Sequence, residues 1–262
     1  MVAQVTRFVE EQCALIDRDH KRDDLPRMSA AWVLLFATVA IIMPRLIGSP
    51  ESFQDSAFLQ GLTSAWRWPE MHPQLFWALW KGAQLGLLPW VCIRFVLHRT
   101  LREHGLSWPR PARSWTLVLL ALVVMVPLTL VASRDASFAA TYPKCPGAGD
   151  SLPRLLTWEL AYAFQFLMVE LFYRGFLLFA LARSLGWLSI FVMVLPYAII
   201  HMQKPVAECA GSIITGIALG AFALRTRSIV GGAVVHSMVA LCMDLGVLQA
   251  KGQLAGLFHD GI

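Results

Sequence analysis

The sequence predicts an all-α protein that crosses a membrane several times. Of its 262 residues, 57% are hydrophobic and only 15% are charged. The mean hydropathy is +0.58, so the chain is far more apolar than a soluble globular domain. A spanning helix needs about 20 mostly apolar residues, and this length predicts about seven transmembrane helices. The segments are 29–48, 75–97, 115–133, 155–182, 187–203, 206–224 and 229–250.

Residues 1–28 are too rich in charge to supply the apolar region of a secretory signal peptide. We expect them to form a cytoplasmic segment, because arginine and lysine collect on the cytoplasmic side of membrane helices. Two later connections, predicted on the same side, contain Arg99, Arg102, Arg110, Arg113, Arg225 and Arg227. The sequence therefore predicts a multi-pass membrane protein with its N-terminus in the cytoplasm, and we expect its membrane to be a bacterial plasma membrane.

Residues 29–133 are predicted to form the N-terminal transmembrane helices. The segment 75–97 is the weakest of them, because it contains Lys81 and Arg94. Residues 51–71 are better explained as an interfacial amphipathic stretch, since its tryptophans suit the headgroup level.

The net charge of +5 predicts loops that face an anionic lipid leaflet. No basic run with interleaved aromatic residues predicts binding to nucleic acid. The five cysteines are scattered without metal-ligand spacing, and we interpret them as small apolar residues. The lipid bilayer is thus the first predicted partner.

Residues 151–250 differ from the preceding helices, because ionisable side chains lie inside or beside their apolar runs. Such a group at bilayer depth costs roughly 2.5 to 3.5 kcal/mol, so its usual explanation is a functional site facing the bundle interior. The candidates are Glu159, Glu170, Arg174, His201, Glu208, His236 and Asp244.

Glu170 and Arg174 are four residues apart and share one helix face, so they could simply neutralise each other. His201 and His236 lie on two other helices, and each would be an unpaired polar group in hydrocarbon unless the three elements converge. A carboxylate beside two imidazoles can deprotonate water or bind a divalent metal such as zinc. Peptide hydrolysis is one natural chemistry for such a site.

The remaining candidates are expected to have supporting roles. Glu159 precedes Glu170 by three helical turns and falls on nearly the same face, and Asp244 is a second acidic residue on the last helix. Glu208 follows a bend expected at Pro205, where solvation at a membrane edge is a sufficient explanation. Close helix packing is predicted at small residues, namely Gly211, Gly216, Gly220, Gly231 and Gly232.

The order of these residues resembles the CPBP family of intramembrane proteases, which are the type II CAAX prenyl endopeptidases and their Abi relatives. The resemblance covers about residues 151–245, and VELFYRGFLLFAL is its most specific part. It implies an all-helical core and an intramembrane endopeptidase that acts on a membrane-associated protein. The implied catalytic residues are Glu170, His201 and His236, with Arg174 fixing Glu170.

Two positions depart from the family pattern. The first glutamate of the family's pair is Val169 here, and the polar residue after the last histidine is Ala240. In one interpretation Glu170 is the base, and Asp244 or Glu159 replaces the polar function lost at Ala240. In the alternative, the protein is an inactive pseudoprotease that serves as a membrane scaffold, binding or immunity protein. A proton relay or transporter is a third interpretation, and repeated halves, its usual sign, are not visible.

Overall fold

The computed structural model describes residues 2–20 and 27–258. Over these residues the chain is mostly helical and has no strand, which confirms the all-α prediction. The helices are α1 (Val2–His20), α2 (Arg27–Leu46), α3 (Pro50–Gln54), α4 (Ala57–Leu62), α5 (His72–Val91), α6 (Ser114–Ala132), α7 (Ala136–Thr141), α8 (Leu152–Glu170), α9 (Phe179–Leu185), α10 (Ser189–Ile199), α11 (Val206–Thr226) and α12 (Val230–Ala250). Two π-helical segments, Cys92–Val96 and Leu171–Leu178, follow α5 and α8.

In the described ranges, four helical stretches are long and apolar enough to cross a membrane. They are Ser114–Ala132, Leu152–Ile199, Val206–Thr226 and Val230–Ala250. The stretch Leu152–Ile199 covers 48 residues. It contains the predicted segment 155–182 and most of the segment 187–203, which are separated near Gly186, whose φ is 55°. The protein is therefore a polytopic membrane protein. Helices also occupy the other predicted segments, and the number seven stays a prediction.

The exposed surface of helix α6 is apolar and therefore suits contact with lipid. Its most apolar window has a mean hydropathy of 2.5 and is only 11% buried inside the protein. Its exposed side chains include Leu117, Leu119, Leu120, Val123 and Val124. An apolar surface of this kind is unfavourable in water and suits hydrocarbon, where the helix satisfies its own backbone hydrogen bonds.

The stretch 51–71 has no spanning helix. It contains most of α3, then α4 and a 3₁₀ turn at Pro69–Met71, as suits an interfacial segment. The N-terminal segment, expected only to be charged, forms the 19-residue helix α1. The predicted cytoplasmic segment extends to residue 28, and its residues 21–26 lie outside the described residues.

The chain folds as two compact units. Unit 1 comprises Met1–Val39, Gly86–Ser114 and Glu170–Gly232, and unit 2 comprises Ala40–Leu85, Trp115–Val169 and Ala233–Ile262. Each unit draws on both the N-terminal helices and the C-terminal core that the sequence suggested, and the division into those two parts stays a prediction.

Unit 1 contains the close packing of α10 against α11. A Cβ added at Gly216 would lie 3.1 Å from the side chains of Tyr197 and Val194, and one at Gly220 would lie 3.1 Å from Met193. The close-packing prediction is confirmed at these two glycines. It is wrong at Gly211, where a Cβ would meet nothing within 4 Å, because the small residue there faces open space.

Helix α1 is docked within unit 1 by polar contacts. The Asp17 carboxylate accepts a hydrogen bond from the Trp187 backbone N–H at 2.9 Å. The His20 ring Nε2 lies 2.8 Å from the Leu224 carbonyl oxygen, and Ile16 on the same helix is buried. The N-terminal helix is therefore an integral part of this unit.

Unit 2 has an aromatic core. Its buried cluster consists of Met71, Leu75, Ala78, Cys145, Ala148, Trp158, Ala161, Tyr162 and Ala240. The rings of Trp158 and Tyr162 stack with centroids 4.6 Å apart, and Arg154 forms ion pairs with Glu70 and Asp150 at the surface. These contacts fix α8 within the unit.

Candidate active site

The first candidate, Glu170, lies at a change of helix type. Helix α8 ends at Glu170, and the eight residues that follow form a π-helix in which every residue is buried. A π-helix has a wider turn than an α-helix and occurs frequently at functional sites. No sequence signal predicts this segment, because its hydrophobicity continues unchanged from α8.

Glu170 and Arg174 form a fully buried ion pair. The Arg174 Nη1 donates to the Glu170 Oε1 at 2.9 Å, and the two side chains are 1% and 0% exposed. The pairing expected from their spacing is confirmed. The guanidinium carbon also lies 4.2 Å from the Tyr197 ring centroid, so the ring face contributes a cation–π attraction.

The Glu170 carboxylate also lies against the start of α12. A Cβ added at Gly232 would be 2.6 Å from the Glu170 Oε2, so only a glycine leaves room for this carboxylate. Gly232 is the third residue of α12, where the unpaired backbone N–H groups and the helix dipole favour a negative charge. Arg174 and the N-terminal turn of α12 therefore both stabilise the buried anion.

His201 is held by the same tyrosine that faces Arg174. Its Nδ1 lies 2.8 Å from the Tyr197 carbonyl oxygen, and the two rings have centroids 4.7 Å apart. A carbonyl only accepts hydrogen bonds, so Nδ1 is the protonated nitrogen and Nε2 is the acceptor of the neutral ring. Tyr197 thus contacts both Arg174 and His201 in unit 1.

His236 belongs to unit 2 and has aromatic surroundings. Its ring stacks on Phe166 with centroids 5.2 Å apart and an interplanar angle of 17°. The side chain is half-buried. Phe166 in turn packs on Tyr162, with ring centroids 4.4 Å apart, so the orientation of the imidazole is fixed by the core of this unit.

Asp244 and Glu159 form a second polar cluster, also in unit 2. The Asp244 Oδ2 accepts a hydrogen bond from the Trp158 Nε1 at 2.9 Å, in a fully buried position. Asp244 and Glu159 also interact with each other. The sequence predicted both acids as supporting residues, but it did not predict Trp158, whose indole N–H donates to Asp244.

One known family matches this order of groups. Residues 151–242 match the sequence model of the family described as Type II CAAX prenyl endopeptidase Rce1-like. This part of the chain is therefore similar to the Rce1-like family. The resemblance predicted from the motifs is confirmed over these residues. Searches of curated proteins and of solved structures gave no match.

The Rce1-like segment includes both positions that depart from the motif. Val169 is 5% exposed and Ala240 is 8% exposed, and Ala240 packs in the apolar core of unit 2. Asp244 lies just beyond the matched residues. Neither departure leaves a polar group in that place, and the catalytic roles expected for Glu170, His201 and His236 stay predictions.

The last supporting candidate, Glu208, lies in the first turn of α11 and forms an ion pair with Lys204. Pro205 separates α10 from α11 as expected. Within residues 2–20 and 27–258, no group of three or more His, Cys, Asp or Glu side chains is arranged to hold a metal ion. A zinc site formed by Glu170, His201 and His236 stays a prediction.

Proposed function

We propose that the protein is an intramembrane endopeptidase that hydrolyses a peptide bond of a membrane-associated protein. The Rce1-like segment supports this class of activity. The observation that carries the proposal is the buried Glu170 carboxylate, which Arg174 and the first turn of α12 hold in place beside the Tyr197–His201 pair. A buried ion pair needs good geometry to offset its desolvation. Here the Arg174 guanidinium also faces the Tyr197 ring, and the Glu170 carboxylate lies against the first turn of α12.

In the proposed mechanism, Glu170 accepts a proton from a water molecule while the water oxygen attacks the substrate carbonyl carbon. His201, when protonated at Nε2 as well, keeps its Nδ1–H on the Tyr197 carbonyl oxygen and donates a hydrogen bond from Nε2 to the oxyanion that forms on the substrate carbonyl oxygen. The oxyanion-stabilising role of His236, in unit 2, stays a prediction. The C–N bond then breaks, and the proton taken up by Glu170 passes to the leaving amine. Arg174 positions the Glu170 carboxylate and does not itself react.

The supporting residues have separate tasks in this proposal. Asp244 and Glu159 stabilise the end of α12 that follows His236, through the hydrogen bond of Asp244 to Trp158. Glu208 pairs with Lys204 at the junction of α10 and α11. These groups support the helices that present the histidines, and their removal is expected to lower stability more than chemistry.

The test compares the protein termini in membranes of cells that express the wild type or a variant. Mass spectrometry of terminal peptides detects cleavage of any membrane protein, so the substrate need not be identified in advance. The variants are Glu170→Gln, His201→Gln and His236→Gln, and the matched controls are Glu10→Gln and His98→Gln, which alter exposed residues. We expect new termini with the wild type and both controls, and none with the three site variants.

Folding is checked in the same membranes by the amount of protein and its melting temperature after extraction. Glu170→Gln leaves Arg174 without its anionic partner, so this variant alone is not decisive. The histidine variants keep the ion pair and isolate the chemistry. If folded His201→Gln and His236→Gln produce the same termini as the wild type, the peptidase proposal is wrong. The inactive pseudoprotease alternative then remains.

A further inference from the structure

A large cationic pocket lies in unit 1 and is not used by the proposed peptidase. Its volume is about 780 Å³. The last residues of α1, the connection that follows the π-helical segment Cys92–Val96, part of α9 and the end of α11 form its walls. All of these elements belong to unit 1.

Positive charge dominates the pocket wall. The described lining residues contain only two carboxylates, Asp19 and Glu103, against six arginines, which are Arg99, Arg102, Arg110, Arg183, Arg225 and Arg227. Arg99 pairs with Glu103 at 3.2 Å, and Arg225 lies 3.8 Å from Asp19. The two acids therefore compensate only part of the charge, and the wall attracts an anion.

The connection that carries Arg102 and Arg110 is fixed by hydrogen bonds to the rest of unit 1. The His104 Nδ1 donates to the Gly175 carbonyl oxygen at 2.7 Å, and the Ile229 N–H donates to the Gly105 carbonyl oxygen at 2.9 Å. Gly105 has a φ of 83°, which favours glycine at this turn. The arginines are thus presented by a preformed wall, which lowers the entropic cost of binding.

An apolar surface adjoins the cationic wall. Trp108, between the pocket residues Ser107 and Arg110, is 70% exposed, and Leu106 beside it is 37% exposed. An exposed tryptophan next to arginines is typical of the headgroup level of a membrane. Five of the six arginines also belong to connections that the positive-inside rule places in the cytoplasm, facing an anionic leaflet.

We propose that this pocket binds the phosphate of an anionic phospholipid headgroup at the membrane surface. The guanidinium groups donate charge-assisted hydrogen bonds to the phosphate oxygens, while Trp108 and Leu106 contact the glycerol and acyl region. A soluble phosphate would use the guanidinium groups equally well, but it would not use the exposed apolar side chains. This proposal is independent of the peptidase activity.

The test measures lipid retained by the full-length purified protein with native mass spectrometry in neutral detergent. The probes are phosphatidylglycerol, phosphatidylcholine and inorganic phosphate. The variant Arg102→Gln/Arg110→Gln is compared with Arg7→Gln/Arg113→Gln, which removes the same charge from exposed residues outside the pocket wall. Both variants are first shown to melt as the wild type does.

We expect the wild type and the control variant to retain phosphatidylglycerol in preference to phosphatidylcholine. Loss of two arginines near an anionic headgroup should weaken retention at least about tenfold, because both guanidinium groups attract the headgroup phosphate. Equal retention of both lipids, or equal loss in both double variants, overturns the proposal. If inorganic phosphate displaces phosphatidylglycerol and binds without it, the pocket takes soluble phosphate, and the lipid assignment is wrong.

Discussion

Replacement of Gly232 by alanine tests the position of the Glu170 carboxylate directly. The new Cβ would lie 2.6 Å from the Glu170 Oε2 and 3.1 Å from its Cδ. Ordinary contact begins near 3.4 Å, so the carboxylate would have to retreat by about 0.8 Å. Oε1 is fixed by Arg174 at 2.9 Å in a fully buried pair, and retreat therefore disturbs the ion pair.

The expected cost follows from this pair. Breaking a buried ion pair costs about 3 to 5 kcal/mol, because one charge is left uncompensated. Alanine in a helix is favoured over glycine by up to about 1 kcal/mol, which offsets part of the loss. We therefore expect Gly232→Ala to lower the free energy of unfolding by about 2 to 4 kcal/mol.

The matched control is Gly211→Ala, which is the same change in another long helix. A Cβ at Gly211 meets nothing within 4 Å, so only the helix preference acts and stability should rise slightly. Thermal unfolding in detergent would measure both variants. We expect Gly232→Ala to melt several degrees below the wild type, and Gly211→Ala to melt at or above it.

If the melting temperature of Gly232→Ala equals that of Gly211→Ala or exceeds that of the wild type, the Glu170 carboxylate does not lie against α12. The same variant also probes the proposed activity, because a displaced Glu170 could not occupy its place beside the reacting water. Loss of new termini in the membrane assay should therefore accompany loss of stability.

Three further predictions concern other parts of the protein. Burial lowers the pKa of His104 to about 4, so between pH 6.5 and 4 the unfolded chain takes up a proton that the folded protein does not. Stability should fall as pH falls through this window, and melting curves of His104→Asn should depend less on pH. Trp158→Phe keeps a six-membered aromatic ring but loses the pyrrole ring and with it the donor to Asp244. The lost hydrogen bond and the cavity in the core should together cost at least about 1 to 3 kcal/mol in unfolding experiments, whereas Trp108→Phe, the same change at an exposed position, should cost much less. Gly216→Leu should separate α10 from α11 and lower the melting temperature, because a Cβ added at this position lies only 3.1 Å from the side chains of Tyr197 and Val194. Gly211→Leu should leave the melting temperature nearly unchanged. Equal effects of the two leucines on the melting temperature would contradict the close packing of α10 on α11.

Periodicity and composition were sufficient to predict the long elements of the fold. Apolar runs of about 20 residues have few stable forms in a bilayer, and helices occupy each of the seven segments. The i, i+4 spacing likewise predicted the Glu170–Arg174 pair, since this contact depends only on local helix geometry.

Contacts between distant residues could not be predicted in the same way. Gly232 was expected to be a packing residue, but a neighbouring helix is needed to show that it makes room for Glu170. Trp158 had no signal as the partner of Asp244, because a tryptophan in an apolar run is usually only a core residue. The π-helix after Glu170 depends on tertiary packing, which a single sequence does not reveal.

A double variant can test whether a carboxylate at position 169 could replace the one at Glu170. Val169 is buried and apolar, and Arg174 already contacts both Glu170 and Tyr197. Adjacent residues of a helix point about 100° apart, so a carboxylate at 169 would face away from Arg174. We expect Val169→Glu/Glu170→Gln to fold poorly and to show no activity in the membrane assay. If the double variant is folded and generates the wild-type termini, the position of the carboxylate along the helix does not matter, and the role assigned to Glu170 is wrong.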